Sequence, residues 1–194
     1  MKQILSVFLI VIVLFSCKTE PADEPLYDST LVQVSVIDAL LQGFYDGFFP
    51  IYKLKRYGDF GIGTFHGLDG EMVMFNDTIF QVLASGEVKI PNDTIETPFA
   101  AVSPMVNSKT IPLSKFSFNQ LKEEFDSLFP TRNIFYMVKI KGNFSYIRTR
   151  SVPAQQQPYP PLVEVTANQP EFEFENVKGD IIGFYCPPYA QGIN

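Results

Sequence analysis

Phe60-Gly61-Ile62-Gly63-Thr64, Leu68-Asp69-Gly70 and Glu71-Met72-Val73-Met74-Phe75 make up the stretch that decides the fold. Phe60, Ile62 and Thr64 alternate with Asp59, Gly61 and Gly63. The segment therefore reads as a half-buried strand whose glycine side admits close approach of another backbone. Asp69-Gly70 is a favoured hairpin dipeptide. Residues 71–75 return as a strand, Asn76-Asp77 turns the chain again, and residues 79–83 supply a third strand. The spacing predicts an antiparallel β-meander. It also excludes a dinucleotide fold. Gly61-Ile62-Gly63 lacks the third glycine of a GxGxxG fingerprint, with His66 in its place, and an Asp-Gly turn follows where a helix is needed.

Upstream, residues 31–34 predict a short strand. Ser35, three residues before Asp38, predicts a capped helix through Ala39, Leu40 and Leu41 that stops near Gly43. Lys53, Lys55 and Arg56 read as a solvated basic edge. Downstream, Ser117 and Gln120 form a capping box. Leu121, Phe125, Leu128 and Phe129 then recur at helical spacing up to Pro130, as expected of a helix covering a sheet face. Residues 134–140 read as a buried strand, Lys141-Gly142-Asn143 as a turn and residues 144–152 as the returning strand. The proline- and glutamine-rich stretch 153–161 reads as an ordered, extended loop, because strand patterns resume after it. Phe172 and Phe174 alternate with acids, and residues 181–185 predict another strand. Gly58-Asp59-Phe60 and Gly179-Asp180-Ile181 open two similar strands, a hint of internal duplication. A sheet begun at Gly179 needs more strands than the residues up to Asn194 supply. The second domain is therefore expected to be incomplete.

The expected fold class is α+β: two sheet-based domains with mixed or antiparallel strands and few helices. Residues 31–133 would form the first and residues 134–194 a partial second. Composition agrees. With 46% hydrophobic and 19% charged residues, 194 residues can bury a core, and general disorder is excluded. Nineteen Phe and nine Tyr without Trp suit a sheet-heavy interior. A formal charge of −6 argues against a nucleic-acid partner, which needs a basic face for phosphates. One His and two Cys nearly exclude a zinc site built from imidazoles and thiolates of this chain, because such sites take three or four ligands.

The N-terminus reads as an address. Lys2 precedes an apolar run over residues 4–15, too short to span a bilayer comfortably as a helix. Leu14-Phe15-Ser16-Cys17 then resembles a bacterial lipoprotein signal, in which Cys17 becomes acylated. Residues 1–16 are expected to be a signal peptide, and residues 17–30 a lipidated cysteine and acidic tether. The protein would be exported and held on the cell-envelope membrane through its lipid anchor. Cys186 would then have no disulfide partner, and it reads as a small buried hydrophobe.

Two residues carry candidate chemistry. Glu71 starts a strand beside a tight turn among apolar neighbours, where a carboxylate could have a raised pKa and transfer a proton. Position alone favours a plainer role, a surface acid on an edge strand. Arg150 lies in Arg148-Thr149-Arg150-Ser151-Val152, and alternation puts Arg148 and Arg150 on one face as a fork for a substrate carboxylate. Exposed strand arginines are again the plainer role. His66 reads as a loop or surface histidine. Asn76-Asp77-Thr78, Asn92-Asp93-Thr94 and Asn143-Phe144-Ser145 fit the glycosylation sequon and read as turns.

Tyr57 to Phe65, followed by Leu68-Asp69-Gly70-Glu71, resembles the signature of the α-acetolactate decarboxylase family. Further matches occur in order: Tyr45-Asp46-Gly47, Thr97-Pro98-Phe99, Arg132-Asn133-Ile134-Phe135-Tyr136, Thr149-Arg150-Ser151-Val152, Gln157-Pro158-Tyr159, Gln169-Pro170, Gly183-Phe184, and residues 188–193. The resemblance covers the chain from about Leu31 onward. It implies a two-domain α+β fold, usually a homodimer, and release of CO₂ from 2-acetolactate to give acetoin at a zinc ion. It matches Glu71 to a family active-site glutamate and Arg150 to the active-site arginine. The family's zinc histidines, a His-x-His pair and a third His, would lie beyond Asn194, as would a second glutamate. The chain is therefore expected not to bind Zn²⁺ specifically and to be inactive as it stands, a truncated form of the enzyme. The alternative is a catalytically dead ligand-binding or partner-binding lipoprotein on the same fold. A different 2-hydroxy-3-keto acid substrate is a third reading, which Glu71 and Arg150 do not discriminate.

Overall fold

The computed structural model describes residues 30–129 and 131–190. The expected signal peptide, Cys17 and the tether up to residue 29 lie outside the described residues, as do residues 191–194. In chain order, β1 (Val32–Val34) leads into helix α1 (Ile37–Leu41), followed by β2 (Phe49–Pro50) and a 3-10 helix (Ile51–Arg56). Then come β3 (Phe60–Thr64), a 3-10 turn (His66–Leu68), β4 (Glu71–Phe75), β5 (Thr78–Val82), β6 (Val88–Lys89), β7 (Glu96–Thr97) and β8 (Ala100–Ser103). Helix α2 (Phe118–Leu128), β9 (Tyr136–Arg150), α3 (Leu162–Ala167), β10 (Glu171–Tyr185) and a 3-10 turn (Pro188–Ala190) complete it.

The meander forms as predicted. β3, β4 and β5 are consecutive neighbours in a six-stranded sheet of order β1-β8-β3-β4-β5-β6, and every strand pair among the described residues is antiparallel. Asn76 and Asp77, at φ 47° and 61°, make the turn between β4 and β5, a left-handed pair that suits hairpin twist. Gly61 and Gly63 serve as anticipated: a Cβ on Gly61 would stand 2.7 Å from the Ala101 carbonyl oxygen of β8, and one on Gly63 2.5 Å from that of Phe99 just before it. One face of the sheet buries Val34, Met72, Met74, Ile79 and Val102 against Ile51 and Leu54 of the first 3-10 helix. A second, smaller core joins Leu40 of α1, Tyr45, Leu68, Val152 and Val165 of α3.

β9 and β10 form a long two-stranded ribbon, paired from Glu171↔Arg150 to Tyr185↔Tyr136. This corrects several sequence expectations. Lys141-Gly142-Asn143 is not a turn, because β9 runs unbroken through it and Gly142 faces Gly179 across the ladder. Asn143-Phe144-Ser145 is strand for the same reason, whereas Asn92 does turn, its Oδ1 accepting from the Thr94 N–H at 2.9 Å. Gly179 lies inside β10 rather than opening a strand, so the proposed similarity to Gly58-Asp59-Phe60 does not extend to structure. Residues 134–140 are not buried: Ile134 is half exposed, and β9 alternates half-buried with exposed positions. A ribbon of two strands has no sheet neighbour to cover both its faces. Its foot instead packs on the meander, where the Lys139 ammonium sits 4.4 Å from the Phe75 ring centre.

The predicted helices are present, with one change at a cap. Ser35 adopts φ 62° and does not cap α1; Val36 takes that position without a side-chain bond. Helix α2 carries the predicted box, with the Ser117 N–H donating to Gln120 Oε1 (2.8 Å) and the Gln120 N–H to Ser117 Oγ (3.3 Å). Phe129, just beyond α2, stacks on Tyr136 at 4.3 Å and meets Tyr185 at 4.6 Å, so the residue that ends the helix packs on the foot of the ribbon. Ser117→Ala is expected to destabilise α2 by about 1 kcal/mol. Amide exchange should speed up in α2 and stay unchanged in β3–β5; uniform acceleration would contradict this local role.

Candidate active site

Glu71 owes its place to the turn before it. His66–Leu68 and Asp69-Gly70 reverse the chain through three left-handed residues: Gly67 at φ 68°, Leu68 at 55° and Gly70 at 82°. Leu68 is the costly one, because a β-carbon is disfavoured there. Two buried side chains hold the turn. Thr64 Oγ1 donates to the Gly70 carbonyl at 2.8 Å, and Gln81 Nε2 donates to the Asp69 carbonyl (2.5 Å) and carboxylate (3.0 Å). β4 then alternates, burying Met72 and Met74 in the core and turning Glu71, Val73 and Phe75 toward the ribbon side.

The structure brings Glu71 and Arg150 together. The Val152 N–H donates to Glu71 Oε1 at 3.3 Å, and Arg150 lies within electrostatic reach of the same carboxyl. Burial raises the Glu71 pKa above the ordinary carboxylate value, while the Val152 N–H and then the Arg150 charge pull it partway back. The plainer reading of an edge-strand surface acid is therefore set aside. Arg148 does not join Arg150 as a fork, because Glu171 Oε2 engages it at 3.4 Å. Arg150 is exposed and has no ion-pair partner among the described residues. Glu71 can thus hold and deliver a proton, and Arg150 can bind an anionic group.

A neighbouring network gathers motif residues that lie far apart in sequence. Asp46 accepts from Tyr159 Oη (2.8 Å) and Gln157 Nε2 (2.9 Å), and Tyr45 Oη donates to the Pro160 carbonyl at 2.8 Å. The Asp46 bond is the main reason that the Tyr159 pKa is raised. The predicted ordered loop is confirmed here: the Gln155 N–H donates to the Gly67 carbonyl at 2.6 Å, tying the loop to the turn before Glu71. His66 is exposed on that turn, its Nδ1 accepting from the Gly47 N–H at 3.0 Å. Cys186 is exposed, against the expectation of a buried hydrophobe, because it lies just past the end of β10. Sequence reasoning missed the Val152 amide and the Ser151 hydroxyl. Nothing in a local pattern marks a backbone amide as the partner of a carboxylate on another strand.

No group of three or more His, Cys, Asp or Glu side chains that could hold a metal converges among the described residues. The one imidazole already uses Nδ1 as an acceptor.

Fold and site together define an antiparallel α+β protein that sets a carboxyl of raised proton affinity beside a guanidinium available to an anion. Residues 31–194 match the family model for alpha-acetolactate decarboxylase, and the chain belongs to that family. It is 46% identical over 165 residues to an alpha-acetolactate decarboxylase of Methanosarcina mazei, covering 84% of this chain and 57% of that protein. The Bacillus subtilis relative is 38% identical over 172 residues, covering 88% of this chain and 67% of the relative. The crystal structure of the alpha-acetolactate decarboxylase from Bacillus subtilis strain 168 superposes with a TM-score of 0.81 at 38% identity, over 84% of this chain and 70% of that one. A Staphylococcus aureus structure, described as similar to alpha-acetolactate decarboxylase, gives the same TM-score at 29% identity, over the same shares of the two chains. This chain thus spans less than two thirds of the length of the Methanosarcina relative.

Proposed function

We propose that Glu71 and Arg150 serve the decarboxylation of 2-acetolactate to acetoin. The observation that carries this reading is the Glu71 carboxyl, whose burial raises its proton affinity, with Arg150 close by. Departure of CO₂ leaves an electron pair on the carbon that bore it, and that carbon must then be protonated. A carboxyl that keeps its proton closer to neutral pH than an ordinary carboxylate suits that donation. Arg150 would hold the substrate carboxylate as a planar, permanently charged partner.

The zinc that family resemblance implies would need imidazoles that this sequence, with one His, does not hold. The 194-residue chain alone is therefore proposed to be inactive. That same observation favours a second reading, a catalytically dead binding protein on this fold. Membrane anchoring through an acylated Cys17 outside the cytoplasm, a homodimer, and a division near residue 133 complete the proposal.

One experiment separates the two readings. Residues 31–194 are joined to the C-terminal remainder of the Methanosarcina relative, and acetoin is measured from 2-acetolactate with zinc present. The reading predicts turnover by the fusion and none by the 194-residue chain. A folded, zinc-loaded fusion that makes no acetoin would overturn the decarboxylase reading. Turnover by the chain alone would overturn the proposed inactivity.

A further inference from the structure

The end of the ribbon meets the meander at one point. β9 ends at Arg150 and β10 begins at Glu171, and these two residues form the terminal pair of the ladder. The next residue, Ser151, is fully buried, and both of its donors are used. Its N–H donates to the Pro170 carbonyl at 3.3 Å, continuing the ribbon by one step. Its hydroxyl donates to the Val82 carbonyl at 2.7 Å, across to the end of β5. Val82 is the cross-strand partner of Glu71. On the far side Val152, itself buried in the second core, gives its N–H to Glu71.

We infer that Ser151 is a positioning residue: its hydroxyl ties the ribbon to the strand opposite Glu71 and thereby fixes Arg150 and Val152 against that carboxyl. The inference rests on reading Glu71 as the proton-carrying group. Three successive residues present a guanidinium, a hydroxyl and an amide to one small region, and the middle one bears the only side-chain hydrogen bond between that segment and β5 among the described residues. The Val82 carbonyl is fixed in turn, because Gly70 packs directly behind it with no room for a β-carbon. Alanine at 151 would remove the hydroxyl's bond to that carbonyl and leave a gap where the hydroxyl stood. Cysteine would fill the space but donate only weakly.

The test follows the Glu71 carboxyl by NMR in the full chain labelled with ¹³C-glutamate, assigned by Glu71→Gln. In Ser151→Ala the segment over Glu71 loosens and water enters. Because burial is the largest influence on this group, its titration midpoint should fall toward the ordinary carboxylate value. Ser151→Cys should fall between, and Val152 amide exchange should accelerate more than that of β3 or β8. An unchanged Glu71 midpoint in folded Ser151→Ala would overturn the inference, as would uniform acceleration of exchange. Should the alanine variant not fold, an unshifted midpoint in Ser151→Cys overturns it equally. In the fusion, kcat should drop on the order of tenfold to a hundredfold, with the pH–rate midpoint moving alongside the titration. An inactive fusion with the titration shift intact would count against the decarboxylase reading and leave the Ser151 tie standing.

Discussion

Glu71→Gln is expected to reduce acetoin formation by the fusion by about 10²–10⁴-fold, the usual contribution of a positioned general acid or base, while making the fold more stable at neutral pH. The two effects share one cause. Burial raises the folded-state pKa of Glu71 above its unfolded value. Between those two values the native state binds more protons than the unfolded state, so stability falls as pH rises through that window. This contribution is fully present below the unfolded pKa and lost above the folded one. Glutamine stays uncharged, and its carbonyl can still accept the Val152 N–H. Urea midpoints should therefore decline more steeply with rising pH above the ordinary carboxylate range in the parent than in the variant. Parallel pH profiles would show that Glu71 is not destabilised by charging, and the proposed proton-carrying role would lose its basis. A site that weakens the fold to hold an acid is a stability–function compromise of a familiar kind.

The second large effect lies one residue upstream. Gly70→Ala should destabilise the protein by about 2–5 kcal/mol. Left-handed backbone costs a residue with a β-carbon about 1–2 kcal/mol, and overpacking a tight site about 1–3 kcal/mol more. Gly70 sits at φ 82°, and its β-carbon would collide with the Val82 carbonyl, a backbone group held in the ladder. That carbonyl is the one Ser151 binds, so the substitution should also displace the segment bearing Arg150 and Val152. Gly179→Ala is the matched control: it lies in mid-strand, nothing stands within 4 Å of its would-be β-carbon, and its φ is not left-handed. Its effect should stay below about 1 kcal/mol, in either direction. Chemical denaturation of both variants measures the contrast, and equal losses would refute the steric account of the turn.

The fusion experiment and these substitutions address different links. Turnover tests whether the family's chemistry can be restored around Glu71 and Arg150. The folding measurements test whether this chain sets those two residues in place by itself. The Leu68-Asp69-Gly70 turn joins the questions, because Thr64 and Gln81 hold a strained turn that sets the position of Glu71.

Patterns only a few residues long carried much of the fold. Phe60-Gly61-Ile62-Gly63-Thr64 and the Asp-Gly and Asn-Asp turns are local signals with period two, and the meander follows from them. Ser117 and Gln120 likewise act within one turn of helix. A local cue gives way where it meets a distant partner. Lys141-Gly142-Asn143 has turn composition, yet the ladder to residues 178–180 keeps it extended. Ser35 has the chemistry of a cap, yet its left-handed backbone removes it from the position.

By itself, then, the order of residues determined the strand alternation, the reversals between neighbouring strands, the capped helix and the pair of residues worth testing. These depend on side chains a few positions apart, which meet whatever the rest of the chain does. Only the tertiary structure decided that Glu71 is largely buried, that an amide 81 residues later faces it, that Arg148 is ion-paired while Arg150 has no ion-pair partner among the described residues, and that Cys186 is exposed. Solvent exclusion and cross-strand contact depend on which distant segments arrive, and a carboxyl acquires its proton affinity from that company.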